Sequence, residues 1–572
     1  MKFISQLLAA LLLWIFIACN HVGKQQHSAA DTVSKNKQVV TADVQLEEMK
    51  PPEQLSRQVP NMKTQKFTPP KTVRDEEITT TNSDGIADNA LISPTDKSFN
   101  TEDYDHIVDN KFLAAMQNPL STFSIDVDEA AYSNIRRYIN EGSLPPAGAV
   151  RIEEMVNYFD YSYPQPTNAD PFTVNTEMAA CPWNTSHKLV HIGLQGKEIA
   201  MNNLPSSNLV FLIDVSGSMD EPNKLPLVKQ SLKLLTDQLR ENDKVAIVVY
   251  AGNAGLVLPS ISGVNKIKIK DAIDNLSAGG STAGGEGIQL AYKTARQNFI
   301  AGGNNRIILA TDGDFNVGAS SDDELVRMIE QERKSGVFLS VLGFGMGNYK
   351  DNKMQQLADK GNGNHSYIDN INEAKKVLVN EFGSTLFTIA KDVKVQVEFN
   401  PAAVQAYRLI GYENRLLANE DFNDDLKDAG ELGSGHTVTA LYEIIPAGVK
   451  DDFTKPAGPL KYQKNDNKII PADNNEMMTI KLRYKRPDDN VSMLMVHTVT
   501  GKGIDLANTS DNFRFSAAVA EFGMLLRGSE YKQESSYQQV VSLAKSAKGQ
   551  DENGYRSEFI KLVDTAHSLA RR

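Results

Sequence analysis

Cysteine is nearly missing from this chain, with two in 572 residues. So low a count excludes a disulfide-stapled secreted scaffold and any zinc domain built on cysteine pairs. Basic residues are also in deficit, 60 Lys+Arg against 72 Asp+Glu for a formal charge of −12. A nucleic-acid binder needs a basic footprint, so that class is excluded as well. Long apolar runs are confined to the start of the chain. Ile4 to Ala18 is almost wholly apolar, but it has the length of a signal-peptide core and falls short of the roughly 20 residues a membrane span needs. The Walker A pattern, His-Glu-x-x-His and Gly-x-Ser-x-Gly are all absent, so no motif points to an ATPase, a zinc protease or an α/β-hydrolase. What remains is ordinary globular material, 41% hydrophobic and 23% charged, enough for three or four units at about 150 residues each.

The apolar run ends in Phe16-Ile17-Ala18-Cys19, which resembles a bacterial lipobox with Phe16 standing where leucine is usual. The resemblance implies a signal peptide over 1–18 and a mature N-terminus at Cys19 carrying diacylglycerol, a strong membrane anchor. The alternative is a plain secretory signal with an incidental cysteine. If Cys19 is lipidated, Cys181 has no mate. Its apolar neighbours Ala179, Ala180, Pro182 and Trp183 mark it as a buried structural thiol. Residues 19–100 turn to Lys, Gln, Thr, Ser, Asp, Glu and Pro with Phe67 the one aromatic of the stretch up to Ser98. Such a stretch buries too little apolar surface to offset its ordering entropy and reads as a disordered tether. Asn20 and the lack of an acidic cluster after Cys19 favour the periplasmic face of a bacterial envelope over the cell surface.

Regular patterns begin near Asn208. Leu209 to Ile213 and Val245 to Tyr250 are continuous apolar runs, and Arg306 to Ala310 and Val337 to Leu342 repeat the theme, the pattern of parallel strands covered on both faces. Helical stretches separate them, beginning with Lys224 to Leu239 and its stripe of Leu227, Val228, Leu232 and Leu235. The alternation predicts an α/β fold with a doubly wound parallel sheet. In such sheets ligands sit at the carboxyl edge of the strands. Three polar clusters fall there: Asp214-Val215-Ser216-Gly217-Ser218, the loop Gly279 to Gly285 containing Thr282, and Thr311-Asp312-Gly313. Their oxygens are hard donors that suit Mg²⁺ or Mn²⁺ rather than zinc.

These three clusters, in this order on this fold, resemble a von Willebrand factor type A domain with an intact metal-ion-dependent adhesion site, over roughly Asn208 to Phe387. The resemblance implies that Asp214, Ser216, Ser218, Thr282 and Asp312 hold Mg²⁺ (or Mn²⁺ or Ca²⁺), directly or through water. A cation with few direct carboxylate ligands keeps net positive charge and an open position for the Glu or Asp of a protein partner. Gly343-Phe344-Gly345-Met346-Gly347 lacks the spacing of a dinucleotide loop and follows a late strand, so it is read as a strand-end turn. His187 and His191 are read as strand neighbours, not ligands.

The flanks carry other patterns. Pro119 to Asp128 reads as a strand, followed by helices around Ala130 to Ile139 and Val150 to Phe159. Alternation marks strands near Thr173 to Met178, Lys188 to Leu194, Val393 to Phe399, Thr437 to Ile445 and Met477 to Tyr484. They are expected to pair into one sandwich into which the central domain is inserted. Three helices close the chain, the first from Asn512 to Arg527 with an aromatic stripe read as helix core. The flanks resemble the N- and C-terminal regions of a bacterial lipoprotein family, the YfbK-like proteins. The expected organisation is a signal at 1–18, a tether at 19–100, an N-terminal region at 101–203, the type A domain at 204–388, a β-rich domain at 389–505 and helices at 506–572. The expected function is non-enzymatic: a membrane-anchored, metal-dependent protein-binding module whose partner presents an acidic side chain. The alternative is an accessory metal domain of an envelope enzyme or of an ATPase-linked assembly factor, marked by titratable groups with strongly shifted pKa values in the flanks.

Overall fold

The computed structural model describes residues 102–572 except 201–202, 282–283, 314–321, 348, 382–386, 455–474 and 488. The signal, Cys19 and the whole of the tether therefore lie outside the described residues. No helix among the described residues is long and apolar enough to cross a membrane.

The first flank contains β1 (Leu113–Ala114), β2 (Leu120–Ser124), α1 (Ala130–Asn140), α2 (Ile152–Asn157), β3 (Phe172–Cys181) and β4 (Asn184–Gly196). The central domain runs β5 (Ser207–Asp214), α3 (Leu225–Gln238), β6 (Lys244–Tyr250), β7 (Ala254–Ser262), α4 (Lys266–Asp274), α5 (Gly284–Gln297), β8 (Asn304–Thr311), α6 (Asp322–Arg333), β9 (Val337–Phe344), α7 (Asp351–Lys360), β10 (His365–Ile368) and α8 (Ile371–Lys375). The second flank adds β11 (Thr388–Phe399), β12 (Val404–Ile410), β13 (Gly430–Gly433), β14 (Thr437–Pro446), β15 (Glu476–Lys485) and β16 (Met493–Thr500). Helices α9 (Asp511–Arg527), α10 (Tyr537–Ser546) and α11 (Tyr555–Ala570) close the chain.

The central sheet has the order β10-β9-β8-β5-β6-β7, parallel except for the antiparallel edge strand β7. Every residue of β5 and β8 is buried, because helices cover both faces. Leu225, Val228, Leu232 and Leu235 of α3 close one face, and Ile288, Ala291, Tyr292 and Ala295 of α5 close the other. With both faces apolar the strands lose alternation, the signature that made them legible in the sequence.

Strands of the two flanks share both sheets of a sandwich. One sheet runs β1-β12-β14-β4-β3; the other runs β13-β11-β15-β16, with β2 on the remaining half of β11. β4 pairs with β14 over Lys188↔Ile444 to Gln195↔Thr437, and β2 pairs with β11 over Leu120↔Glu398 to Ser124↔Lys394. The central domain is thus inserted into the sandwich. Val190, Ile192 and Leu194 of β4 face the sandwich core, while Leu189 faces a helical layer built from α1, α2 and α9 to α11. Both faces of β4 are therefore covered, and burial is continuous from Leu189 to Gly196, where alternation alone suggested one wet face. The aromatic stripe of α9 is core: Phe513, Phe515 and Phe522 are fully buried in that helical layer.

Candidate metal centre

β5 delivers Asp214, fully buried, to the carboxyl edge of the central sheet. The chain then turns, and the Ser216 N–H donates to Asp214 Oδ1 at 2.9 Å. Ser216 Oγ lies 3.1 Å from Ser218 Oγ, and Ser218 is exposed at the surface. β8, the neighbour of β5, ends in Thr311, whose hydroxyl donates to Asp214 Oδ2 at 3.2 Å. Asp312 follows, also fully buried. Gly313 sits at φ +90°, where an added Cβ would lie 2.8 Å from the Lys350 nitrogen, so only glycine fits this turn. The glycine loop is fastened to the first loop by Gly279 N–H to Val215 O at 2.8 Å and Gly217 N–H to Gly280 O at 3.0 Å. Four of the five expected residues, Asp214, Ser216, Ser218 and Asp312, thus stand on adjacent loops at one sheet edge. Thr282 lies outside the described residues, between Gly280 and the start of α5.

Burial pushes the Asp214 carboxyl up to about 6 against the two hydrogen bonds from Ser216, and the charge of Asp312 adds to the rise. Two buried carboxylates with exposed hydroxyl oxygen beside them are a hard donor set that a divalent cation satisfies. Among the described residues no three His, Cys, Asp or Glu gather as a cation cage. A cation here would meet the hydroxyls of Ser216 and Ser218 beside the carboxylates of Asp214 and Asp312. This donor set fits Mg²⁺ or Mn²⁺, with Asp214, Ser216, Ser218 and Asp312 as the groups that would hold it.

The sequence reading missed one charged neighbour. Lys224, 3% exposed, directs its Nζ to Asp312 Oδ2 at 3.2 Å. It occupies the N-cap of α3, the positive end of the helix dipole, where a cation is unfavourable. That local violation was the available signal. The two histidines share no ligand. His187 lies between Glu443 Oε1 at 2.6 Å and Asp451 Oδ2 at 2.9 Å, whereas His191 Nε2 meets the Tyr163 hydroxyl at 2.9 Å. Cys181 is buried and free.

A second titratable group lies where the central domain meets the sandwich. Arg415 reaches Asp126 Oδ2 at 3.3 Å, Asp128 Oδ2 at 2.9 Å and Asp359 Oδ2 at 2.9 Å. Burial raises Asp126 to about 7 and Asp128 to about 6, three carboxylates sharing one guanidinium. A cavity of about 320 Å³ adjoins them, lined also by Arg306, His365 and Glu431.

Three family models match the chain. The von Willebrand factor type A domain covers 208–380, a model described as von Willebrand factor covers 98–191, and the C-terminal region of the Uncharacterized protein YfbK covers 384–569. The Uncharacterized protein YfbK of Escherichia coli K12 is 48% identical over 477 residues, 82% of each chain. Among solved structures, BatB from Bacteroides thetaiotaomicron aligns with 31% of this chain and 97% of its own at 25% identity and a TM-score of 0.27. A von Willebrand factor type A protein from Catenulispora acidiphila aligns with 68% of this chain and 89% of its own at 15% identity and a TM-score of 0.38.

Proposed function

The chain belongs to the YfbK family of proteins with a von Willebrand factor type A domain, and from that premise we propose that it is a metal-dependent protein-binding module of the bacterial envelope. Type A domains are in general metal-dependent protein-interaction modules. The observation that carries the proposal here is the grouping of Asp214, Ser216, Ser218 and Asp312 at the carboxyl edge of the sheet, with the serine hydroxyls 3.1 Å apart and Ser218 at the surface.

When bound, Mg²⁺ supplies one open coordination position to a partner's carboxylate. Asp214 holds the Ser216 N–H and the Thr311 hydroxyl, so it orders both loops before any partner arrives. Ser216 and Ser218 present neutral oxygens, which leave the centre positive toward an acidic side chain. Cys19 would carry the lipid anchor, and the tether would give the folded part reach from the periplasmic face of the membrane. No step of bond making or breaking is assigned to the centre.

Calorimetric titration with MgCl₂ tests the reading. Wild-type protein is expected to bind and the Asp214→Ala and Ser216→Ala variants to lose binding with an unchanged circular dichroism spectrum. Retained Mg²⁺ affinity in Asp214→Ala, or none in the wild type, refutes it. Partner capture that survives chelator would place the contact elsewhere on the surface.

A second reading has its own observation. Raised carboxyl pKa values beside a cavity, Asp126 at about 7 and Glu431 at about 8 where burial pushes both up, are the mark of a small-ligand or enzymatic site. Here Asp126 is tied to Arg415, the arrangement of a structural ion network. A metabolite screen by thermal shift that found a ligand lost in Glu431→Gln would favour this reading over the first.

A further inference from the structure

We propose that Lys224 is a built-in counter-cation of the metal centre: it holds Asp312 in place and removes one negative charge from the donor set. Its presence weakens the centre's hold on the metal and sharpens its preference for an anionic partner. The inference rests on the metal-site reading above and extends it to a residue outside the motif.

Three observations carry it. The Lys224 amine is buried at 3% exposure and lies 3.2 Å from Asp312 Oδ2. Its other acidic neighbour, Glu221, is 3.9 Å away with a 60% exposed side chain, a contact that solvent screens. A lysine is seldom this buried without a partner that compensates its charge, and among the described residues Asp312 is the carboxylate at hydrogen-bonding distance. The fold also makes room for it. Gly345, in the strand-end turn after β9, stands at φ +74° with the lysine stem laid across it; an added Cβ would fall 2.4 Å from Lys224 Cε. The glycine run that resembled a failed dinucleotide loop thus has a local purpose, which is to let an aliphatic stem pass and deliver an amine to Asp312. Finally, Lys224 sits at the N-cap of α3 without a side-chain cap. Ser, Thr, Asp or Asn would be favoured there for the helix itself, so the lysine is explained by the carboxylate it reaches.

With the amine in place the two carboxylates of the centre, Asp214 and Asp312, carry a net charge of −1 instead of −2. A cation entering beside Lys224 meets a fixed positive charge at close range and in poor solvent, which lowers its affinity. The loaded centre is more positive for the same reason and attracts a carboxylate more strongly.

The test uses the full chain with Lys224→Met, Lys224→Gln, Lys224→Arg and wild type, stripped with chelator and titrated with MgCl₂ by calorimetry. Lys224→Met and Lys224→Gln are expected to bind Mg²⁺ at least about tenfold more tightly than wild type, while Lys224→Arg, which keeps the charge, stays within about threefold. Without metal, Lys224→Met should melt below wild type, and saturating Mg²⁺ should narrow that gap, because the metal replaces the missing charge. Equal or weaker Mg²⁺ binding by folded Lys224→Met and Lys224→Gln, beside a wild type that does bind, overturns the role of Lys224 and leaves the metal site standing. Absence of Mg²⁺ binding in the wild type removes the metal site and this inference with it.

Discussion

Arg415 offers the sharpest perturbation of the junction between the inserted domain and its flanks. It follows β12 in a short helical turn and gathers carboxylates from three places. Asp126 and Asp128 come from the extended segment after β2, and Asp359 comes from α7 of the central domain. Replacing it with methionine keeps most of the apolar stem and removes the one guanidinium that three carboxylates share. Breaking a buried pair costs about 3–5 kcal/mol. The low end applies here, about 3 kcal/mol at pH 8, because the Asp126 and Asp359 side chains keep 31% and 27% of their exposure. The loss should depend on pH in a definite direction. In the native protein burial lifts Asp126 to about 7 and Asp128 to about 6, above the value of about 3.9 in an unfolded chain. The folded cluster therefore binds more protons than the unfolded chain from about pH 4 to 7, and its contribution to stability, full at the acid end, is lost as pH rises through that window. Without Arg415 the downward pull on both groups disappears and they hold protons to higher pH. At pH 5 the variant's deficit should accordingly fall to about half its value at pH 8. Urea unfolding followed by the fluorescence of Trp183, which is buried at the edge of the helical layer, measures both. An equal deficit at pH 5 and pH 8, or one below about 1 kcal/mol at pH 8, would refute the claim that Arg415 works by compensating charge.

Other expectations follow from single contacts. Gly193 on β4 faces the ring of Tyr163, and a Cβ there would lie 2.4 Å from Tyr163 Cζ. Gly193→Ala should displace a tyrosine that holds His191 and Thr439 at 2.9 Å and 2.7 Å, at a cost of about 2 kcal/mol; a melting temperature within about 1 °C of wild type would contradict this. Burial pushes the Cys181 thiol well up, and the Glu443 charge adds to it. In a Cys19→Ser background a maleimide should therefore label the protein only as urea unfolds it, and rapid labelling of the native state would show the thiol to be accessible.

The flanks also brace the carboxyl edge of the inserted α/β domain, the edge that carries the centre. Arg136 of α1 binds Asp369 at 2.5 Å and Glu373 at 2.7 Å, at the end of the central domain, and Glu558 of α11 at 3.0 Å. Glu102, at the start of the described chain, accepts the Gly347 N–H at 2.8 Å beside the Gly345 turn. The flanks thus hold both the last helix of the inserted domain and one of the loops next to Asp312 and Lys224.

Local order was legible in the sequence by itself. Apolar runs such as Leu209 to Ile213 have no alternation because both faces are covered, and the stripe from Leu227 to Leu235 has helical spacing; both are properties of neighbouring residues. The polar clusters that carry Asp214, Ser216, Ser218 and Asp312 were legible as loops at strand ends, while their reading as one metal centre came from the resemblance to type A domains. Cys19 and Thr282 lie outside the described residues and stay expectations. Tertiary structure alone decided which strands meet. The pairing of β4 with β14 joins residues some 250 positions apart, such as Ile192 and Ala440, and no local pattern encodes a partner at that distance. It also decided the meaning of the buried charges. Lys224 and Arg415 look in sequence like two of 60 basic residues, and a charge becomes structural only when the fold removes water from it and sets a carboxylate of opposite sign within reach.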